Sequence, residues 1–350
     1  MLQTVLHNNN FNALVKGKET SLHFLENDFL EMVVTNYGAT IVAIRVKNSN
    51  IPNQSIVAGF ASLQDYINAG RSYYGCTVGR YANRIANAKF ILNHVTYSLQ
   101  NNDNGNTLHG GFDGLHNNVW DVDTSNSTQI KLRYISIDGE AGFPGNVHFL
   151  VTYCLEGSKV EINYTATTDA DTIINCTNHS YFNLNGMGSS DVYQHLLSIN
   201  AHSYLPINKN AIPKGQVAQV SNTPFDFLKE KSIGLDIDSD DEQQQFGKGY
   251  DHCYVLNSKG DINKIAATLT GDASGIQMNV YTTKPGMQLY TGNYMQGNQT
   301  FWNNTKDNFR TAVCLETQYF PNSPNNQQFI NDIIVTPKQP YQHKTIYEFV

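Results

Sequence analysis

Charge is scarce in this chain. Only 15% of its 350 residues are Asp, Glu, Lys or Arg, and 30 acidic against 23 basic residues leave a formal net charge of −7. No run of Lys or Arg forms a basic patch, so neither nucleic acid nor an anionic membrane surface is an expected partner. Long apolar runs are missing too, and nothing approaches the roughly eighteen residues of a membrane-spanning helix. The stretch from Met1 to Asn9 lacks a basic n-region and a long apolar h-region, so the expected location is the cytoplasm. Cysteine is sparse and unpaired. The five, Cys76, Cys154, Cys176, Cys253 and Cys314, are an odd number with no Cys-x-x-Cys, so neither a disulfide framework nor a zinc ribbon is expected.

Helical periodicity is also scarce, and what remains is β. Phe29 to Lys47 carries β-rich runs broken at Asn36-Tyr37-Gly38, where turn residues interrupt the pattern. Lys89 to Leu92 and Val95 to Leu99 flank Asn93-His94, a two-residue hairpin loop. Val147 to Leu155 and Lys159 to Thr167 flank Glu156-Gly157-Ser158, with Val160, Ile162 and Tyr164 on one face and Glu161 and Asn163 on the other. Ala266 to Leu269 and Ile276 to Tyr281 form a third pair, and Lys344 to Val350 reads as a terminal strand. Ser62 to Ile67 reads as a short helix with Ser62 as N-cap and Asp65 at the capping-box position. Asp236 to Gln245, acidic and polar, reads as a surface loop. No internal repeat and no Pro/Ser/Gly linker divides the chain. One domain over residues 1–350 is expected, a large, mostly antiparallel all-β sandwich with very little helix.

Two segments carry the strongest chemical signal. Asn178-His179-Ser180-Tyr181-Phe182-Asn183-Leu184 sets a histidine among small polar and aromatic neighbours. Ala312-Val313-Cys314-Leu315-Glu316-Thr317-Gln318 sets one carboxylate in a strand-like run, where burial demands a partner or a task. Arg80, Arg84, His109, Asp251 and Gln288 also lie in Gly-rich or strand-like settings, which loops meeting over a β-scaffold could bring together. Each has a plainer reading taken alone. An arginine can pair with a surface carboxylate, His109 can be a turn histidine, His179 a core histidine, and Asp251 an Asx-turn residue. Cys176 with His179, or His252 with Cys253, supplies too few donors for a zinc site.

Taken together the motifs resemble a known family. Gly79-Arg80-x-Ala82-Asn83-Arg84, Asn106-Thr107-Leu108-His109-Gly110-Gly111, Gly142-Phe143-Pro144-Gly145, Asn178 to Leu184, Tyr250-Asp251-His252, Pro285 to Asn293 and Leu315-Glu316-Thr317-Gln318 occur in this order. The set is similar to the galactose mutarotase (aldose 1-epimerase) family from about residue 30 to the C-terminus. Tyr250 stands where that family often has phenylalanine, and Pro321-Asn322 where it often has Pro-Asp.

The resemblance implies a large β-sandwich and an isomerase that interconverts α and β anomers of free hexoses such as galactose and glucose. It implies Glu316 as base on the C1 hydroxyl and His179 as acid on the ring oxygen. His109 would be a second active-site histidine, and Asn83, Arg84, Asp251 and Gln288 would hold sugar hydroxyls. A small-molecule monosaccharide is the expected partner, and no cofactor or metal is expected. A carboxylate such as Glu316 or Asp251 is expected to raise the pKa of His179 and keep it charged. Tyr181, Phe182 and Trp120 are candidates for stacking on a pyranose. Alternatives are a non-catalytic sugar-binding module, a glycoside hydrolase using Asp251 and Glu316, and a sugar-phosphate epimerase, which would want extra cations at the cleft.

Overall fold

The computed structural model describes residues 2–350; residue 1, where the N-terminal stretch read for a leader begins, lies outside them. Two large sheets share one core. The first has nine strands in the order Asp121–Ser125, Gln129–Ser136, Val147–Glu156, Lys159–Thr168, Tyr341–Phe349, Gln277–Thr282, Ala267–Thr270, Leu196–Ile199 and Lys231–Ser232. The second has five, Ala218–Gln219, Ser203–Leu205, Asp251–Val255, Gly286–Tyr290 and Cys314–Gln318. Their ladders are antiparallel. Among the described residues the α-helices are two, Leu63–Ala69 and Glu242–Gly247, and no helix is long and apolar enough to cross a membrane.

Period-2 alternation decides which face of each sheet is apolar. In the nine-stranded sheet Val151, Tyr153, Ile162, Tyr164 and Tyr347 enter the core, and from the five-stranded sheet Tyr254, Met287, Leu289 and Leu315 meet them. Each such side chain contributes roughly 1.5–3 kcal/mol on burial. Polar contacts also cross the sandwich: the Tyr347 hydroxyl donates to the Leu315 carbonyl at 3.3 Å, and the Thr317 and Thr345 hydroxyls meet at 2.5 Å.

Most of the strand expectations hold, with small shifts. Asn93 and His94 both have positive φ, 50° and 65°, as a two-residue hairpin between right-twisting strands requires. Glu156 belongs to its strand, opposite Lys159, so that hairpin loop is only Gly157-Ser158. Ser62 caps its helix by accepting from the Asp65 amide. The reading of Asp236 to Gln245 as a loop is wrong over its second half, where the helix Glu242–Gly247 begins. Asp241 supplies the N-cap by accepting from the Gln243 and Gln244 amides, and the buried Gln243 side chain bonds both backbone groups of Ile207. Capping and a buried amide outweigh the polar composition.

Candidate active site

The second face of the five-stranded sheet is where the chemistry lies. Asp251 pairs across to Tyr290 and, one strand further, Cys314; Cys253 pairs likewise to Gln288 and then Glu316. Alternation therefore puts Asp251, Gln288, Tyr290 and Glu316 on one face, while Met287, Leu289 and Leu315 point into the core. His252 and Cys253 fall on opposite faces, so they do not meet as a metal-binding pair.

Above this face a pocket of about 630 Å³ is lined by Asn83, Arg84, His109, His179, Asp251 and Glu316, with Tyr73, Tyr181, Phe246, Tyr290 and Tyr294 among its walls. The sequence segments singled out for chemistry thus converge. Glu316 Oε1 lies 3.6 Å from His179 Nε2, and both side chains are buried. His179 is set by its backbone: its amide donates to the Cys76 carbonyl, and its carbonyl accepts from the Gly75 amide, both at 2.9 Å. Gly75 is required there, since its φ is +70° and a Cβ would lie 2.0 Å from the Ile41 carbonyl oxygen. The rings of Tyr181 and Tyr73 lie nearly parallel to the His179 ring, at 5.0 and 5.8 Å.

Asn83 and His109 lock each other. The Asn83 amide donates to His109 Nδ1 and the His109 amide donates to the Asn83 carbonyl, both at 3.1 Å. The acceptor role of Nδ1 fixes the tautomer: Nε2 carries the proton and is a donor. Burial, with His179 and Arg84 adding to it, holds the His109 pKa well below 6.5, so the ring is neutral. His109, His179 and Glu316 offer atoms within 4.8 Å of one another. With His109 Nε2 protonated, the trio has no third lone pair for a cation and does not fit the usual metal sites.

Arg84 joins two carboxylates. Its Nε donates to Asp103 at 2.8 Å and its Nη1 lies 3.8 Å from Asp251. Burial opposes the guanidinium charge, but Asp251 and Asp103 outweigh burial and raise its pKa. Gln288 donates to Asp251 at 2.6 Å and does not line the pocket; it orients the aspartate from behind. Asn322, the residue of the Pro-Asn departure, has φ 59° and accepts from the Ala86 amide while its own amide donates to the Arg84 carbonyl. Asparagine tolerates that left-handed conformation, so the substitution keeps the support under Arg84. Tyr250 is buried and its extra hydroxyl donates to the Pro224 carbonyl at 2.9 Å.

Burial sets the protonation of the Glu316–His179 pair. It pushes the Glu316 carboxyl well above 4.5, with Asp251 adding and Arg84 opposing. It pulls His179 down to about 3, opposed by its own backbone and aided by His116. The expectation that a neighbouring carboxylate keeps His179 charged is therefore wrong for this pocket: desolvation of the imidazolium exceeds the attraction, because the carboxyl is itself driven towards its neutral form.

Other readings shift as well. Arg80 is buried away from the pocket and makes five hydrogen bonds, to the hydroxyl and carbonyl of Ser136 and the carbonyls of Ile137, Pro144 and Gly145. It ties the Gly-Arg motif to the Gly-Phe-Pro-Gly motif and is structural. Tyr181 lines the pocket, but Phe182 and Trp120 are fully buried in the core. The aromatics that sequence reading missed are Tyr73, Tyr74, Tyr290, Tyr294 and Phe246; Tyr290 alone carried a signal, its spacing of two from Gln288. Arg71 and Lys209, both exposed, also line the pocket.

Comparison with known proteins agrees with this geometry. A family model described as aldose 1-epimerase matches residues 21–348. The chain is 37% identical over 340 residues to a galactose mutarotase of Mus musculus, covering 97% of each. It is 36% identical over 323 residues to an aldose 1-epimerase of Escherichia coli, covering 91% of this chain and 92% of that one. A crystal structure of a GalM/aldose epimerase homologue from C. elegans superposes with a TM-score of 0.86 at 25% identity, over 95% of this chain and 99% of the other.

Proposed function

From the premise that this chain belongs to the aldose 1-epimerase family and is an isomerase, we propose that it opens and recloses free hexoses with Glu316 as base and His179 as acid. We also infer that residues 1–350 act as one aldose 1-epimerase domain, a reading supported by a core that runs from Leu25 to Phe349. The observation that carries the mechanism is the buried pair itself, Nε2 and Oε1 3.6 Å apart in the pocket wall. A gap slightly beyond hydrogen-bond length is common before substrate binds.

Ring opening removes a proton from the C1 hydroxyl and adds one at the ring oxygen. Glu316 as carboxylate takes the first while His179 as imidazolium gives the second. The C1–O5 bond breaks, the aldehyde turns about C1–C2, and closure on the other face reverses both transfers. After opening, the pair is a neutral carboxylic acid beside a neutral imidazole. That is the state which burial favours in the sugar-free pocket. The reactive and resting forms hold the same single proton, so moving it across the gap activates the pair without exchange with solvent. Arg84 favours the ionised carboxylate, and sugar hydroxyls would add hydrogen bonds to it. The Nε2–H of His109 is a further donor in the pocket wall, and Asn83, Arg84 and Asp251 offer groups for sugar hydroxyls. Each positioned proton transfer contributes about 10²–10⁴-fold.

Polarimetry tests this. Fresh α-D-galactose or α-D-glucose should relax faster to its usual equilibrium rotation with the protein than without it, and no acceleration with either sugar would overturn the proposal. A second reading, a sugar phosphate as substrate, is favoured by Arg71 and Lys209 in the pocket lining. Faster turnover of hexose 6-phosphates than of free hexoses would select it.

A further inference from the structure

A second, smaller cavity of about 20 Å³ shares a wall with the pocket, and that wall includes Tyr73. Its lining also takes in Tyr37, Thr40, Tyr66, Cys76 and His116. The Tyr73 ring is buried and packs against three imidazoles, 4.6 Å from His109, 4.8 Å from His116 and 5.8 Å from His179. Its φ is 56°, a conformation that costs a non-glycine residue about 1–3 kcal/mol and persists only where its surroundings hold it.

Three buried polar atoms around this wall have no hydrogen-bond partner among the described residues: Tyr73 Oη, His116 Nδ1 and His179 Nδ1. A catalytic imidazole is usually oriented by a hydrogen bond at its other nitrogen. His179 has none from these residues, so its ring plane is held by packing, chiefly the near-parallel rings of Tyr73 and Tyr181 at interplanar angles of 20° and 18°. Tyr73 itself then needs fixing. A water requires a cavity of roughly 10–15 Å³ or more and two to four polar partners, and a buried hydroxyl left unbonded costs about 1–3 kcal/mol.

We propose that one water molecule sits in the small cavity, joins Tyr73 Oη to His116 Nδ1, and so makes Tyr73 a positioning residue for His179. The water satisfies both orphaned atoms at once. His116 is neutral, its pKa held down to about 4 by burial, so its Nδ1 can accept from the water or donate to it. The Tyr73 ring, fixed at its hydroxyl end, keeps His179 Nε2 turned towards Glu316. This proposal rests on the reading of His179 as the acid.

The test is a double-mutant cycle with Tyr73→Phe and His116→Phe, both of which keep a ring in place, read as kcat and KM by polarimetry. Each single change should lower kcat about fivefold, since small misplacements of a reacting group are costly, with KM within about twofold. The double variant should lose no more than either single one, because both remove the same water. A wild-type kcat in Tyr73→Phe, or losses that multiply in the double variant, would overturn the proposal. A purely structural role would lower thermal stability and leave kcat per folded molecule unchanged. High-resolution electron density of the unaltered protein should show one water peak between the two atoms, and a cavity without a peak is equally fatal. Wild-type turnover in His179→Gln would instead remove the underlying reading. Lost turnover in His179→Gln with full turnover in Tyr73→Phe would overturn the positioning role alone.

Discussion

Glu316→Gln keeps the size of the side chain and removes its ability to ionise. If Glu316 is the base, kcat falls by about 10²–10⁴-fold, or about 2.7–5.5 kcal/mol of transition-state stabilisation. Stability should respond in a way that reports where the resting proton sits. Burial raises the Glu316 pKa above its ordinary 4.5, so the native state holds a proton that the unfolded chain releases. That contribution to stability is fully present below 4.5 and is lost as pH rises through the folded value. The native protein therefore loses about 1.4 kcal/mol for each pH unit in that window relative to the glutamine variant, which has nothing to release. Urea unfolding of both proteins at several pH values from 4.5 upward measures the difference. The variant should gain on the parent as pH rises. A constant difference, or a parent that gains on the variant as pH rises, would mean that Arg84 and a charged His179 hold Glu316 ionised, and the neutral resting pair would be refuted.

Three further outcomes follow from the same geometry. His179→Gln should lower kcat by about 10²–10⁴-fold. Its stability should also lack the parent's decline between pH 6.5 and about 3, because a depressed histidine stabilises above its free value and loses that contribution as pH falls; equal slopes in pH-dependent unfolding would count against a neutral His179. Arg80→Met should cost more than about 3 kcal/mol, since five carbonyl or hydroxyl acceptors lose a buried cation; an unchanged urea midpoint would show that the joint is not structural. The pocket of about 630 Å³ exceeds the roughly 200 Å³ of a hexose at interior packing density. Tyr294, half exposed and one near-parallel ring step of 6.3 Å beyond Tyr290, can take a second sugar ring. Tyr294→Ala should raise KM for a reducing disaccharide about tenfold and leave galactose unchanged, and equal effects on both would deny that second contact.

The hairpins and the short capped helix were legible because local chemistry specifies them: positive φ at Asn93 and His94, and Ser62 set before Asp65. Glu316 was legible because a carboxylate in an apolar strand contradicts its surroundings. The residues around Arg80 and Arg84 did not separate their roles, since four residues apart in one short run they look alike. Only the fold sends one to the carbonyls around Pro144 and the other to Asp103 and Asp251. Gln288 was read as a sugar contact; its amide donates to Asp251, and it stands outside the pocket lining, which the sequence alone does not show. The missed aromatics are hidden by numbers: with 20 Tyr and 17 Phe, no local pattern separates Tyr73 on a pocket wall from Phe182 in the core. The charge of His179 was misread because pairing was weighed and burial was not.

That misreading bears on how the site works. A surface pair of Glu and His would keep the glutamate ionised and let the histidine charge below about pH 6.5, and both would have to give up solvation to transfer protons. Here the strand Cys314–Gln318 buries the glutamate, and the Gly75–His179 and Cys76–His179 backbone bonds bury the histidine. The solvation is therefore given up on folding, before any sugar arrives. The cost falls on stability, as two buried groups each kept from its ordinary charge. If the pair works as proposed, the gain is that folding already favours the neutral form of the pair, the one that ring opening would produce. Arg84 sets the balance from the other side, since it favours the carboxylate and is itself held charged by Asp103 and Asp251. If Glu316 is the base, removing that guanidinium would push the pair further towards its neutral form and slow proton transfer, apart from any sugar hydroxyl Arg84 would hold.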